Sequence, residues 1–268
     1  MGSGNLAVVT GASSGIGWEM SKQLAARGYD LLLVARREDR LRALASEVSH
    51  QTGRNTDVLG ADLTQPSERR KLVSALESRK EALQLLVNSA GVGMVGPTVA
   101  PPLERIMKLI ELNITAVTEL SYETAKIMIP RRAGGLINVA STASFQAVPY
   151  MNVYSAAKAY VLSFTEALGE ELREYGIRVM ALCPGYTKTE FQAVAGVKYD
   201  DTRFRSVMSA AACARAGLDD FDKGKRISVT GLGNKLLVLS SWIAPRSITL
   251  KIGSRLMKNR AGQPLNDE

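Results

Sequence analysis

Apolar side chains follow two rhythms along this chain. Short runs, apolar at nearly every position, cover residues 6–10, 31–35, 56–59, 83–88, 135–140 and 177–183. Amphipathic stretches at 16–27, 38–51, 66–79, 102–128 and 153–175 separate them. An unbroken apolar run is a strand covered on both faces, and the longer periodic stretches are helices that lie across such strands. Alternation of the two, joined by right-handed crossovers, predicts an α/β fold: a doubly wound parallel sheet in three layers. A last strand is expected at 226–231, followed by two short amphipathic segments at 236–243 and 248–260 that Pro245 separates. No internal repeat and no Pro-, Gly- or Ser-rich linker divides the chain, so residues 1–231 are expected to form one domain and 232–268 an extension.

Composition removes whole classes of chemistry. The 268 residues are 46% hydrophobic and 22% charged, a globular balance that excludes a disordered or collagen-like chain. There is one histidine, His50, inside the polar stretch 47–55 that reads as the end of a surface helix. A His-rich metal site, a four-Cys zinc site and a Ser-His-Asp triad therefore lack their residues, and no metal is expected. Cys183 and Cys213 make no disulfide framework, which points to a reducing, cytoplasmic setting. Residues 1–5 carry no basic segment leading into an apolar core, and no apolar run reaches the roughly 20 residues of a membrane span.

Charge is unevenly placed. The formal net charge is +8, yet residues 1–222 hold 25 basic and 24 acidic side chains, while 223–268 hold 9 and 2. A nearly neutral body with a basic tail argues against general nucleic-acid binding and marks the tail as a separate feature.

The first strand runs into Gly11-Ala12-Ser13-Ser14-Gly15-Ile16-Gly17 and then a helix. Glycines there allow a tight turn, close approach of a pyrophosphate to the backbone and tight helix-on-sheet packing, the mark of a Rossmann-type dinucleotide site. The amide groups of Ser13, Ser14 and Ile16 lie where a helix N-terminus meets an anion. At the end of the second strand, where an NAD site places an acid, the chain reads Arg36-Arg37. A guanidinium suits a 2′-phosphate, so NADP(H) is expected rather than NAD. Asp62-Leu63 after the third strand is expected to face adenine. Asn88, Ala90 and Gly91 after the fourth are expected to line the same crevice.

The chemistry is expected at Ser141, Tyr154 and Lys158. Ser141 closes the fifth strand, Tyr154 follows 13 residues later and Lys158 comes four after that. Residues i and i+4 share a helix face, so the phenol and the ammonium point into one cleft. A nearby ammonium is expected to lower the tyrosine pKa from about 10 and fit it for proton transfer. Ser141 would hydrogen-bond a carbonyl oxygen as charge develops on it. Tyr122 and Lys126 share the spacing, but Leu109 stands 13 residues earlier, so that pair is expected to be a surface contact.

With these residues in place, the chain resembles the short-chain dehydrogenase/reductase family over residues 5 to about 190. Thr10 to Gly17 matches the family's cofactor turn, Asn88-Ser-Ala-Gly91 its Asn-Asn-Ala-Gly element, and Ser141, Tyr154 and Lys158 its catalytic three. The resemblance implies that Asn113 helps hold a water in a proton relay to Lys158. It also implies that Pro184, Gly185 and Thr187 contact the nicotinamide end, and that Tyr154 and Lys158 meet the nicotinamide ribose. It implies hydride transfer between nicotinamide and a carbonyl or alcohol carbon, with carbonyl reduction as the working direction. It further implies a small-molecule substrate and a homodimer or homotetramer.

Two features depart from the family pattern: Ser89 replaces an asparagine, and 37 residues follow the last strand. A substrate lid is expected over 186–222, with apolar faces from Tyr186, Phe191, Val194, Val197, Phe204, Val207 and Met208, broken by Lys198, Arg203 and Arg205. This suits a hydrophobic ketone such as a 3-ketoacyl or steroid substrate, and equally suits helices packed on the core. In the tail, Ile248, Ile252 and Leu256 fall on one helical side and Lys251, Arg255 and Lys258 on another. That pattern is open to membrane contact, subunit contact or packing on its own domain. Two other functions compete with the reductase: a dinucleotide-binding regulator without turnover, and a membrane-tethered protein acting through its tail.

Overall fold

The computed structural model describes residues 5–196 and 207–258. Val197, Lys198, Arg203, Phe204 and Arg205 of the expected lid lie outside the described residues, as does Arg260 of the tail. The chain runs β1 (Leu6–Thr10), α1 (Gly15–Ala26), β2 (Asp30–Ala35), α2 (Glu38–Thr52), β3 (Thr56–Gly60), α3 (Pro66–Glu77), β4 (Leu83–Asn88), α4 (Leu103–Ile110) and α5 (Ala116–Met128). It continues through β5 (Gly135–Val139), α6 (Asn152–Glu171), β6 (Arg178–Cys183), β7 (Thr187–Lys188), α7 (Phe191–Val194), β8 (Met208–Ser209), α8 (Ala210–Asp222), β9 (Ile227–Val229), α9 (Leu232–Ile243) and α10 (Arg246–Lys258).

Seven of the strands form one parallel sheet in the order β3-β2-β1-β4-β5-β6-β9, and β7 pairs with β8 apart from it. Strand period two divides each run between the two covering layers. Ala7, Val9, Leu31, Leu33, Val87, Ile137 and Leu182 face α1, α2 and α8 through Met20, Leu24, Leu41, Leu44, Leu218 and Phe221. Leu6, Val8, Leu32, Val34, Leu86, Leu136 and Val179 face the other way, against Leu72, Leu76, Leu120 and Met128 of α3 and α5. This two-sided burial is why the strand runs show no polar alternation.

One expectation needs correction, and two readings left open gain detail. The single helix foreseen over 102–128 is interrupted: α4 and α5 are joined by one wide turn at Glu111–Thr115, where the backbone bonds reach one residue further than in an α-helix. Such a turn swings the side chains out of the even helical register. Within the foreseen lid, α8 is a layer helix. Cys213, Ala214, Leu218 and Phe221 are buried in it, Gln23 Nε2 of α1 donates to Ala211 O at 2.9 Å, and Arg27 pairs with Asp219 at 2.5 Å and with Asp222. A helix packed this way covers the sheet rather than the cleft. In the tail, α9 begins four residues earlier than foreseen, and α10 turns Gly253 and the buried Met257 toward the domain while Ile248, Ile252 and Leu256 stay exposed. Among the described residues no helix is long and apolar enough to cross a membrane.

Inside the sheet, next to the carboxyl ends of β4 and β5, lies a buried polar network. Asn88 Nδ2 donates to Asn138 Oδ1 at 2.9 Å and to Ser121 Oγ at 3.2 Å, and Asn138 Nδ2 donates to Thr165 Oγ1 at 3.0 Å. All four residues are buried. Removing one hub strands its neighbours' donors and acceptors, which costs more than losing a methyl group. Asn138→Val is therefore expected to lower the unfolding free energy by about 2–4 kcal/mol, against about 1 kcal/mol for Ile137→Val. Urea titration of the two variants checks the order.

Candidate active site

The candidate site occupies the carboxyl ends of β1, β4, β5 and β6, at the point where successive strands leave β1 in opposite directions. β1 delivers the chain into the glycine turn. Gly11 and Gly15 sit at φ +69° and +58°, in the left-handed region that other residues avoid. A Cβ on Gly11 would meet Ala90 N at 2.8 Å, and one on Gly17 would meet Gly11 O at 2.5 Å. The turn is thus compact enough for backbone alone to face a ligand. Ser14 caps α1 without a side-chain bond to its first turn, so the partial positive charge of the helix start is left for an anion. Thr10 pins the opposite loop, its hydroxyl accepting from Ser89 N at 3.0 Å and Ala90 N at 3.1 Å.

Arg37 lies directly over this turn, with Nε 3.3 Å and Nη2 3.2 Å from Ser13 Oγ. Arg36 is exposed beside it. Donors of this kind over a glycine turn fit a phosphorylated dinucleotide. Asp62 and Leu63 follow β3: Asp62 Oδ1 accepts from Thr64 N at 3.1 Å, and Leu63 O accepts from Arg69 Nη1 at 2.9 Å. Arg69 is buried and paired with Glu111 at 2.7 Å and Glu119 at 2.5 Å, which fastens this loop to the wide turn. Pro184 O accepts from Thr142 N at 2.9 Å. Thr187 Oγ1 donates to Gly185 O at 3.1 Å. A Cβ on Gly185 would fall within 2.3 Å of three atoms of the Asn234 amide group, so the start of α9 seals this loop.

Ser141 opens a 3₁₀ turn after β5, with its Oγ accepting from Ala143 N at 3.1 Å. Ser144 Oγ donates to Lys158 O at 2.8 Å, tying the turn to α6. Tyr154 and Lys158 are both buried on one face of α6. Lys158 Nζ donates to Val139 O at 2.6 Å and lies 5.9 Å from the Tyr154 ring centre. Phe191 packs on the tyrosine, ring centres 5.4 Å apart. Asn113, buried in the wide turn, grips Val92: Nδ2 donates to its carbonyl at 2.8 Å and Oδ1 accepts its amide at 3.0 Å. Gly91 lies between Asn113 and Lys158, since a Cβ there would stand 3.1 Å from Asn113 Oδ1 and 3.4 Å from Lys158 Nζ. By contrast, Tyr122 is exposed on α5 with the Lys126 ammonium 5.3 Å from its ring.

The electrostatics differ from expectation in one respect. The tyrosine pKa was expected to fall; burial pushes it up to about 12, against a lowering by the Ser141 hydrogen bond. Burial also drives Lys158 down to about 8. Desolvation penalises each charged form and is the largest cause at both residues. Spacing revealed the pair but not the dryness of their surroundings. Two groups escaped the sequence reading altogether: Arg40, one turn into α2 beyond Arg37, and Glu190, which bonds both arginines. The i, i+3 pair of arginines was a visible signal; nothing local pointed to Glu190.

The lysine has a measurable consequence. Its folded pKa lies below its unfolded value, so its burial cost is complete below pH 8 and is relieved as pH rises toward 10.5. Lys158→Met should be the more stable protein at pH 7, and its advantage over wild type should shrink by about 2 kcal/mol between pH 8 and 10. Denaturant titrations at each pH measure the gap.

Comparison with known proteins agrees with this geometry. The model of the family described as short chain dehydrogenase matches residues 5–199. A very-long-chain 3-oxoacyl-CoA reductase of Anas platyrhynchos is 32% identical over 216 residues, 78% of this chain and 68% of that protein. A short-chain dehydrogenase from Sphingobium yanoikuyae, solved in complex with NADPH, is 32% identical with a TM-score of 0.79, covering 98% of each chain. A bulky-bulky ketone specific alcohol dehydrogenase from Comamonas testosteroni is 29% identical with a TM-score of 0.77, over 98% of this chain and 97% of that one. A glycine turn after the first of seven parallel strands, the half-buried Ser141 beside the buried Tyr154 and Lys158, and a family match over most of the length lead to one conclusion: the chain belongs to the short chain dehydrogenase family.

Proposed function

We propose that this protein is an NADP(H)-dependent oxidoreductase whose working direction is reduction of a ketone or aldehyde. One observation carries the reading: Tyr154, buried and protonated at neutral pH, shares a cleft with Ser141, Lys158 and the glycine turn under Arg37. The solution of the Sphingobium relative with NADPH supports the cofactor. When bound, the dinucleotide supplies the hydride or receives it. Arg36 and Arg37 hold the 2′-phosphate. Gly11, Ser13, Ser14, Gly15, Ile16 and Gly17 face the pyrophosphate. Asp62 and Leu63 border the adenine, with Asn88, Ala90 and Gly91 across from them. Pro184, Gly185 and Thr187 border the nicotinamide. Tyr154 gives its proton to the substrate oxygen, and the Ser141 hydroxyl steadies that oxygen by a second hydrogen bond. Lys158 binds the ribose and, with Asn113, keeps a proton path to the tyrosine.

A hydrophobic ketone such as a 3-ketoacyl or steroid compound suits the apolar surroundings of Tyr154, which include Val92, Met94, Met151 and Phe191. The ketone and 3-oxoacyl substrates in the relatives' names support the same class. The reading extends to a cytoplasmic homodimer or homotetramer. Two buried free thiols support the reducing compartment. Exposed Leu236, Leu239, Trp242 and Ile243 on α9, with Lys251 and Arg255 on α10, support contact of the extension with a second subunit or an anionic membrane surface.

Tyr154→Phe should abolish ketone-dependent NADPH oxidation, a loss of about 10²-fold or more, while NADPH binding followed by fluorescence stays within about twofold. Persistent turnover would refute the proton-transfer role. Replacing Arg36 and Arg37 with Gln should weaken NADPH by about tenfold or more and NADH by far less. Equal losses in titrations of the two dinucleotides would defeat the 2′-phosphate assignment.

A further inference from the structure

Glu190 stands between β7 and α7 and reaches across to the start of α2. Its two carboxylate oxygens accept from Arg37 Nη1 and Arg40 Nη1, each at 2.8 Å. Arg37 keeps its other nitrogens on Ser13, so one guanidinium bridges the glycine turn and the carboxylate. The same short segment touches the rest of the site. Thr189 Cγ2 lies 3.0 Å from the position a Cβ of Gly15 would take. Phe191 packs at a tilt against Tyr154, and Ala195 O accepts from Val95 N at 2.9 Å. Residues 187–195 therefore form a strap from the phosphate turn to the tyrosine, fastened at one end by a carboxylate on two arginines.

Arg37 is also the arginine to which the proposed function gives the 2′-phosphate. A carboxylate and a phosphate dianion compete for the same donors, and each repels the other. Both arginine–Glu190 pairs are about half exposed, with side chains 42–47% accessible, so the latch is weak enough to be exchanged. We propose that Glu190 is a built-in substitute for the 2′-phosphate: it latches the strap onto Arg37 and Arg40, and a 2′-phosphorylated nucleotide displaces it and frees the strap beside Tyr154. This rests on the NADP(H) reading and deepens it. Nucleotides without the 2′-phosphate leave the latch closed. Cofactor choice and the mobility of the tyrosine's cover are then one equilibrium, and whatever loosens the strap must also favour the phosphate.

Calorimetric titration of the full chain with 2′,5′-ADP and with ADP tests this without turnover. Glu190→Gln should bind 2′,5′-ADP about fivefold tighter than wild type while ADP changes less than about twofold; Glu190→Ala should do the same. Hydrogen exchange supplies the second reading. Amides of 189–195 should speed up in wild type when 2′,5′-ADP is added and not when ADP is added, and should already be fast in Glu190→Gln. A wild-type preference for 2′,5′-ADP that Glu190→Gln leaves unchanged or weakens overturns the latch alone. No preference for 2′,5′-ADP in any of the proteins overturns the NADP(H) reading and the latch together.

Discussion

Seven parallel strands buried on both faces bring all their carboxyl ends to one edge; the glycine turn, Ser141 and the 184–187 loop lie there, and α6 and the wide turn set Tyr154, Lys158 and Asn113 beside it. The constraint is strict because most strand interior positions are apolar. Leu33, Val87, Ile137 and Leu182 fill one layer; Val34, Leu86 and Leu136 fill the other. The candidate groups sit in the loops at the strand ends, where the backbone leaves the core, and on the helices beside them. The buried Asn88–Asn138 pair is a polar exception inside the sheet, continued to Thr165 of α6, and it sits one step below that edge. It locks β4, β5 and α6 together directly beneath Ser141 and Lys158, so it keeps the platform rigid.

Water exclusion then sets the electrostatic character of the site. Tyr154 and Lys158 are both desolvated, which holds the phenol protonated and makes the ammonium unusually easy to discharge. A protonated phenol is the form that reduction of a carbonyl requires, since the developing alkoxide must receive a proton. At the other end of the cleft the arginines are partly exposed and meet a carboxylate from a distant part of the chain. The candidate site thus has a buried end at Tyr154 and Lys158 and a half-exposed end at Arg37, Arg40 and Glu190, with residues 187–195 spanning the two.

Much of this was legible in the residues. Strand runs and helical stretches emerged at nearly the positions the apolar pattern gave them, because burial on both faces leaves so plain a mark. Gly11, Gly15 and Gly17 were legible because no side chain fits a turn that brings Gly11 O within 2.5 Å of a would-be Cβ. Ser141, Tyr154 and Lys158 were legible through spacing. The Tyr122–Lys126 pair shows the limit of that signal, since the same spacing on the surface of α5 yields only an exposed contact. The wide turn at Glu111–Thr115 was not legible: helical periodicity averages over several turns, and one extra residue disappears in the average.

What the sequence determined by itself is everything that depends on near neighbours: the parallel α/β sheet, the glycine turn, the i, i+4 tyrosine and lysine, and a neutral body with a basic tail. The tertiary structure alone decided matters that depend on residues far apart in the chain. It turned α8 into a layer helix through Arg27 and Gln23, placed Asn234 against Gly185, and raised the Tyr154 pKa where spacing had suggested a fall. It also carried Glu190 to Arg37, 153 positions away. Local patterns fix which groups are available. Burial and long-range ion pairing, which exist only once the layers close, fix how those groups are charged and what they face.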